Sequence, residues 1–191
     1  MKNNILIVLI LVLCGCNQNS LKLKCFEDKE GFNICLPDNW GVRKTDGYLL
    51  YSQLDSLGNY LVVNKVEELS NNLFYNYVEK THLLFSSSDI NLIDYSIYEF
   101  SLKDVNYIYC VYEYEFHEVN KKFVSVVTSI DNVLFDVSLS VDSVFYEDYK
   151  LIFDNTVLPS VVIFGESYFS AKLIPKEINE INSDYLDSLI N

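Results

Sequence analysis

The apolar residues of this chain recur with a period of two over much of its length, a pattern typical of β-strands. The alternation is clearest near residue 137, where Val133, Phe135, Val137, Leu139 and Val141 are separated by polar residues that include Asp136, Ser138 and Ser140. It predicts four successive strands at 92–102, 107–118, 121–130 and 133–141, joined by turns at 103–106, 119–120 and 131–132. Because the links are so short, neighbouring strands must be antiparallel.

Elsewhere the period changes to that of a helix. Apolar residues recur at steps of three and four over 69–85 and again over 143–155, where Ser143 is a candidate N-cap. Three earlier strands are predicted at 32–36, 48–54 and 60–66. Two main helices packed on a largely antiparallel sheet, formed by a hairpin and a four-strand meander, predict the α+β class.

The first twenty residues combine an apolar run with a cysteine motif. The uncharged run at 5–13 is too short to span about 30 Å of hydrocarbon, but it matches the apolar core of a signal peptide. Leu13-Cys14-Gly15-Cys16 then resembles the lipobox of bacterial lipoproteins, with Cys16 as the acceptor. Cys14 is the poorer acceptor, because Leu13 would then occupy a position that must be small. The resemblance implies diacylglycerol on Cys16 and cleavage after Gly15; a plain secretory signal or an uncleaved anchor is the alternative.

These features predict four regions. A signal peptide at 1–15 is followed by a tether at 16–24, a folded domain at 25–165 and a C-terminal tail at 166–191. Within the tail, 176–190 has the spacing of a weak amphipathic helix.

Composition excludes some classes of function. Half of the residues are hydrophobic, and 15 Tyr with 12 Phe supply more aromatic surface than a disordered chain contains. The formal net charge is −13, and the densest basic clusters are no more than pairs, so the chain would repel a phosphate backbone. We therefore predict no nucleic-acid partner and no electrostatic adhesion to anionic lipid.

The remaining cysteines are interpreted as structural. Cys25 and Cys35 flank a polar segment that ends in Gly31, and a hairpin centred there would bring the two thiols close to facing positions. An extracytoplasmic compartment would permit a disulfide between them. Cys110 lies among apolar residues and is interpreted as a small buried hydrophobe.

The segment Phe32-Asn33-Ile34-Cys35-Leu36-Pro37-Asp38-Asn39-Trp40 resembles the opening of the PsbP-like superfamily, which includes the Mog-type proteins and the bacterial DcrB-like lipoproteins. The later order of hairpin, helix, meander and helix is also similar, so that the resemblance covers about 25–165. It implies αβα layers and makes Trp40 a structural plug at the end of the sheet. Because the superfamily has diverse roles, the resemblance implies a fold rather than an activity.

One cluster has the chemistry of a metal site. Strand alternation would place Glu113, Glu115 and His117 on one face, and Asp136 on a neighbouring strand is a further candidate ligand. The spacing of about 7 Å between alternate residues is wide for ligands of a single ion, so a solvated strand end is the preferred interpretation. We predict no metal and no cofactor.

Two further features have both a functional and a structural interpretation. His82 is expected to be a surface imidazole that compensates the dipole of the first helix rather than a metal ligand. Six tyrosines crowd the predicted meander and invite comparison with sugar-stacking surfaces, although cross-strand aromatic packing explains them more simply. They are Tyr95, Tyr98, Tyr107, Tyr109, Tyr112 and Tyr114.

Familiar hydrolase, phosphate-loop and zinc-protease signatures do not occur in the sequence. We therefore expect a non-enzymatic accessory or interaction module of the bacterial cell envelope. It would be held at a membrane by a lipid anchor, face the periplasm or the cell surface, and bind a protein partner. A lipoprotein that binds a small ligand or glycan between helix and sheet is the alternative, and a hydrolase built on Glu113, Glu115 and His117 is a weaker third.

Overall fold

A computed structural model describes residues 21–29, 31–43, 49–67, 73–87, 89–102, 104–169 and 179–180. These residues form two antiparallel sheets and two helical segments, which confirms the predicted α+β class. The strands are β1 Leu23–Glu27, β2 Phe32–Pro37, β3 Gly41–Arg43, β4 Leu50–Gln53, β5 Tyr60–Glu67, β6 Asn91–Leu102, β7 Val105–Phe116, β8 Val119–Ile130, β9 Val133–Asp142, β10 Val162–Ile163, β11 Glu166–Ser167 and β12 Asn179–Glu180. Helix α1 is Leu73–Phe85. The second segment comprises a 3₁₀ turn at Ser143–Phe145, α2 at Tyr146–Ile152, a π-helical turn at Phe153–Val157 and α3 at Leu158–Ser160.

The larger sheet has the strand order β12-β6-β7-β8-β9-β5-β4-β3. The run from β6 to β9 is the predicted meander, with each strand antiparallel to the next. The turn between β8 and β9 lies at 131–132 as predicted, but the turn between β7 and β8 lies at 117–118 rather than 119–120. His117 and Glu118 both have positive φ, 50° and 64°, as a two-residue hairpin turn of type I′ requires. This turn was not predicted from the sequence, because neither residue is Gly, Asn or Asp, the types that such turns favour.

The smaller sheet begins with a disulfide-bonded hairpin. Its order is β1-β2-β10-β11, and the register of β1 and β2 places Cys25 directly opposite Cys35. These two residues form a disulfide in the structure. The bond fastens β1, whose first two residues belong to the predicted tether at 16–24, to a strand whose alternate residues are buried.

The two faces of the larger sheet carry separate cores. On one face, Phe135, Val137, Leu139 and Val141 pack with residues of the second helical segment and the smaller sheet. On the other face, α1 packs through Val78 and Phe85 against β6, β7 and β8. The predicted alternation along β9 is therefore confirmed, but its polar side is covered too: Asp136, Ser138 and Ser140 are all buried.

Trp40 lies in the first of these cores. Only 5% of its surface is exposed, and its ring packs on that of Tyr149 with 6.0 Å between centroids. The indole thus joins the turn after β2 to α2 and fills space between the two sheets and this helix, as expected of a structural residue.

Three features depart from the sequence-based picture. Ser143 does not cap the second helical segment, which begins after Asp142 without any side-chain cap. Phe169 is fully buried against Tyr107, so the packed core extends beyond residue 165. Within the predicted helix at 176–190, the described pair 179–180 forms strand β12, because the open edge of β6 offers backbone partners at Tyr98 and Glu99.

Candidate functional site

The residues proposed as a metal site do not come together. Cross-strand pairing puts Glu113 beside Lys122, with 3.2 Å between the carboxylate and the ammonium. His117 lies in the turn rather than on the strand face, and Asp136 is buried on the opposite face of the sheet from Glu113 and Glu115. Within the part of the chain that the structure describes, no three acidic, histidine or cysteine side chains are grouped as ligands of one ion.

The prediction of a surface position for His82 is wrong. The side chain is fully buried, and its ring contacts Tyr95 at 4.7 Å and Tyr112 at 6.0 Å between centroids. The reason lies in the helical period, since Val78, His82 and Phe85 are spaced at i, i+4 and i+7 and form the stripe that packs on β7.

The tyrosines of the meander mostly take part in packing. Tyr107, Tyr112 and Tyr114 are buried, and stacked pairs join neighbouring strands, with Tyr95 and Tyr112 at 6.0 Å and Phe100 and Tyr107 at 5.2 Å between centroids. Cross-strand aromatic packing was the preferred interpretation of these residues. Cys110 is buried among them, and burial raises the pKa of its thiol, as expected of a structural residue.

A second stripe of α1 faces a cavity. Tyr77, Thr81 and Leu84 follow the same i, i+4, i+7 spacing one residue out of step with the packed stripe, and they overhang strands β5, β7, β8 and β9. The space between this stripe and the sheet has a volume of about 610 Å³. This lies within the usual range for small-molecule sites, roughly 300–1,000 Å³.

The cavity has an apolar wall and an apolar mouth. Val62, Phe85, Ile90, Tyr114 and Phe123 line its interior. At the mouth, Leu57 and Leu84 are 58% and 60% exposed, and both also line the cavity. Large aliphatic side chains exposed beside a concavity are typical of binding surfaces.

The floor of the cavity is polar and is centred on Asp136, which is 2% exposed. Its Oδ1 accepts a hydrogen bond from the Ser125 hydroxyl at 2.6 Å. Its Oδ2 accepts one from the Asn64 amide at 3.0 Å and a longer one from the Ser138 hydroxyl at 3.3 Å. The Tyr77 hydroxyl closes the group from above, 3.1 Å from Ser125 Oγ.

This floor follows from the alternation along β9. The register pairs Asp136 with Asn64 on β5, and Ser138 with Ser125 on β8, so that four short polar side chains share one patch of the sheet. Short side chains here leave the room beneath α1 that larger residues would fill. Burial raises the pKa of Asp136, although the hydrogen bonds from Ser125, Asn64, Tyr77 and Ser138 lower it in part.

A second polar network holds the loop at the mouth. Asp55 accepts hydrogen bonds from Asn59 at 2.7 Å and from Tyr149 at 2.9 Å, and Asn59 in turn accepts one from the backbone of Asp142 at 2.7 Å. Although partial burial raises the pKa of Asp55, these hydrogen bonds and one from Leu57 lower it below its usual value. Asp142 also pairs with Lys121 at 2.6 Å, so this lysine of the cavity wall already has a counter-charge.

The architecture matches that of a known structure. No protein-family model and no curated protein sequence matches the chain. Among solved structures, the chain is similar to the cyanobacterial PsbP protein (CyanoP) of Synechocystis sp. PCC 6803, with a TM-score of 0.57 and 18% identity over 80% of this chain and 99% of that one. The fold is PsbP-like. A weaker similarity, with a TM-score of 0.42 and 9% identity, links 69% of the chain to 90% of PA94, a Pseudomonas aeruginosa protein of unknown function.

The position of Asp136 on the cavity floor of this PsbP-like domain was not predicted from the sequence. The sequence suggested Asp136 as an extra metal ligand beside Glu113 and Glu115, but these two residues lie on the opposite face of the larger sheet. The available signal was a carboxylate in the middle of a strand in which the other residues before Asp142 are Val, Leu, Phe and Ser. Aspartate is almost never fully buried in a protein unless its carboxylate is paired.

The raised pKa of Asp136 predicts a pH effect on stability. Relative to Asp136→Asn, the wild-type PsbP-like domain should gain stability as the pH falls from about 7 towards the unfolded-state pKa of 3.8, because its folded form takes up this proton first. Tyr77 and Cys110, whose pKa values are raised by burial, stay neutral over this range. Urea unfolding of both proteins at several pH values measures the difference and cancels the other carboxyl groups. A difference that stays constant or shrinks on acidification would contradict the assignment.

Glu115 and His117 of the PsbP-like domain should behave as solvated residues. Replacing either by Ala should cost less than about 1 kcal/mol of unfolding free energy, because neither is buried. Added Zn²⁺ or Ca²⁺ should leave the melting temperature of the wild type unchanged, whereas a bound ion would raise it by linkage. Melting curves of the wild type and His117→Ala with each ion provide the check. A metal-dependent rise in the wild type alone would restore the metal site.

Proposed function

We propose that this chain is a non-enzymatic lipoprotein of the bacterial cell envelope that binds a small, largely apolar molecule beneath helix α1. The observation that carries the proposal is the cavity of about 610 Å³, with its apolar wall, exposed apolar mouth and one buried carboxylate on its floor. A mostly apolar concavity with a few convergent polar groups is the usual form of a small-molecule site.

The presence of the cavity supports a ligand-binding role for the domain rather than a purely structural one. Tyr77, Thr81 and Leu84 form a stripe of α1 that faces the cavity, while the stripe through Val78 and Phe85 packs on the sheet. The space opens to solvent beside Leu57 and Leu84, so a small molecule could enter it without unfolding the helix.

Binding to the cavity is testable with 1-octanol, which has an apolar chain and one hydroxyl. We would titrate residues 17–191, which retain every described element, and measure heat by calorimetry. Thr81→Phe places a large ring in the cavity and should abolish binding, whereas Leu83→Phe, on the exposed side of the same helix, should leave it intact. Equal binding by both variants would place octanol elsewhere and contradict the proposal.

The proposed envelope location rests on the leader. The lipobox and the signal segment lie outside the described residues, and the structure shows a folded domain whose first strand starts at Leu23. Six residues lie between Cys16 and Leu23, so the extended chain joining these two residues reaches at most about 25 Å. A lipid on Cys16 would therefore hold the folded domain close to the membrane surface. Within the described ranges, no helix has the length and apolar character needed to cross a bilayer.

Metabolic labelling tests the anchor. In a bacterial host, full-length protein should incorporate a palmitate analogue, and Cys16→Ala should lose the label because it removes the acceptor thiol. Cys14→Ala is the matched control, since it alters a neighbouring thiol and keeps the acceptor. Labelling that persists in Cys16→Ala, or disappears in Cys14→Ala alone, would contradict the assignment of Cys16.

A further inference from the structure

Asp136 gives the proposed cavity a chemical preference. We propose that the cavity beneath α1 selects amphiphilic primary amines, with the ammonium group bound by Asp136 at the floor and the apolar part held under the helix. The inference rests on the proposed function, because it specifies the ligand of the same cavity.

The buried carboxylate of Asp136 would gain from a positively charged partner. Asp136 is 2% exposed, and the hydrogen bonds that the described residues provide to its carboxylate come from neutral donors: Ser125, Asn64, Ser138 and Tyr77. Buried carboxylates are ordinarily paired with a cation, because neutral donors only partly replace the lost hydration. Lys121, which lines the cavity wall, is bound to Asp142. An ammonium group on a ligand would supply the missing positive charge.

The cavity floor also presents several oxygens that can accept hydrogen bonds from an ammonium group. A primary ammonium has three donors and no acceptor, so its site must present three oxygens. The carboxylate of Asp136 and the hydroxyls of Ser138 and Tyr77 all line the cavity. Both hydroxyls can rotate to accept, and the 3.3 Å bond from Ser138 to Asp136 is weak enough to exchange. A carboxylate ligand, by contrast, would meet the charge of Asp136 at this point.

The aromatic walls of the cavity and the net charge of the chain also favour a cationic ligand with an apolar body. Phe85, Tyr114 and Phe123 line the cavity with aromatic rings, which pack well on an alkyl or aryl body. Aromatic faces also attract cations. The chain as a whole carries a formal charge of −13, which favours the approach of cations over that of anions.

Three compounds of equal chain length test the preference. Calorimetric titration of residues 17–191 with 1-aminooctane, 1-octanol and octanoate compares an ammonium, a hydroxyl and a carboxylate on the same apolar body. At pH 7 the amine should bind at least about tenfold more tightly than the alcohol, as a charge-assisted hydrogen bond implies. Octanoate should bind more weakly than either.

Asp136→Asn keeps the shape of the side chain and removes its charge. It should abolish the preference for the amine, so that the amine and octanol bind this variant with affinities within about twofold of one another. Glu118→Gln, an exposed acid in the turn beside the mouth, is the control for general electrostatic attraction and should keep the preference. In the wild type, the side-chain ¹³C resonance of Asp136 should shift strongly with the amine and weakly with octanol, which provides evidence independent of the variant.

The outcomes separate the two proposals. Octanol that binds under α1 without any preference for the amine, or a preference that survives in Asp136→Asn, would overturn the amine assignment alone. Failure of all three compounds to bind would overturn the proposed ligand-binding function as well.

Discussion

Val137→Asp is expected to prevent the domain from folding. Val137 is fully buried in the core between the larger sheet and the second helical segment, where its neighbours Phe135 and Leu139 are apolar. A carboxylate placed there would lack hydrogen-bond donors and a counter-charge, at a cost of about 3–5 kcal/mol. The lost burial of the Val side chain adds about 1.5–3 kcal/mol, and the sum reaches the lower part of the range of about 5–15 kcal/mol over which domains are stable. Circular dichroism and urea unfolding of residues 17–191 measure the effect.

Val137→Ala is the matched control for this substitution. It removes the same buried methyl groups without adding charge, and should cost only about 1.5–3 kcal/mol. The comparison is informative because Asp136, one position away, is a carboxylate that the other face of the same strand accommodates with four donors. If Val137→Asp folded and melted near the Ala variant, the assignment of the two faces of β9 would be wrong.

Trp40→Ala is expected to destabilise the domain by about 3–5 kcal/mol, the usual cost of truncating a large aromatic in a core. The indole is 5% exposed and packs on Tyr149, so its removal leaves a void between α2 and the turn after β2. Equilibrium urea unfolding followed by circular dichroism gives the free energy.

Trp40→Phe is the control, because it retains an aromatic ring at the contact and should lose less stability than the Ala variant. Since Trp40 is the sole tryptophan, the emission of the wild type reports its surroundings directly and should be blue-shifted relative to free tryptophan. An unshifted emission, together with a melting temperature that Trp40→Ala does not change, would mean an exposed indole and contradict the packing described here.

The sequence predicted those parts of the fold that follow from local periodicity. The alternation along β6 to β9 identified the meander and the two faces of β9, and the apolar residues at steps of three and four over 69–85 identified α1. Strands β3, β10, β11 and β12 have only two or three residues each, too few for a period to be recognised. Such strands form because a sheet edge is nearby, which is a tertiary effect.

The candidate site was harder to predict because it depends on how elements pack. Periodicity placed Asp136 and Ser138 on the polar side of β9, and polar positions on a strand ordinarily face solvent. Helix α1 covers that side. A difference of one residue along α1 decides whether a side chain packs on the sheet, as His82 does, or faces the cavity, as Thr81 does. A helical pattern alone cannot show which stripe touches the sheet.

The turn at His117 had a similar effect on the rejected metal site. Two residues at positive φ ended β7 earlier than the sequence predicted, and that removed His117 from the face it was expected to share with Glu113 and Glu115. The error was small along the chain, but it changed the chemistry assigned to this end of the sheet.

Mapping of the 1-octanol site by nuclear magnetic resonance tests most directly whether the cavity beneath α1 binds a small molecule. In ¹⁵N-labelled residues 17–191, we expect saturable shifts of the backbone amides of Val62, Thr81 and Ser138, which line the cavity. The amides of Leu158 and Val161, buried on the far side of the larger sheet, should not move. Shifts that are absent, that fail to saturate, or that centre on Leu158 and Val161 would contradict this proposal.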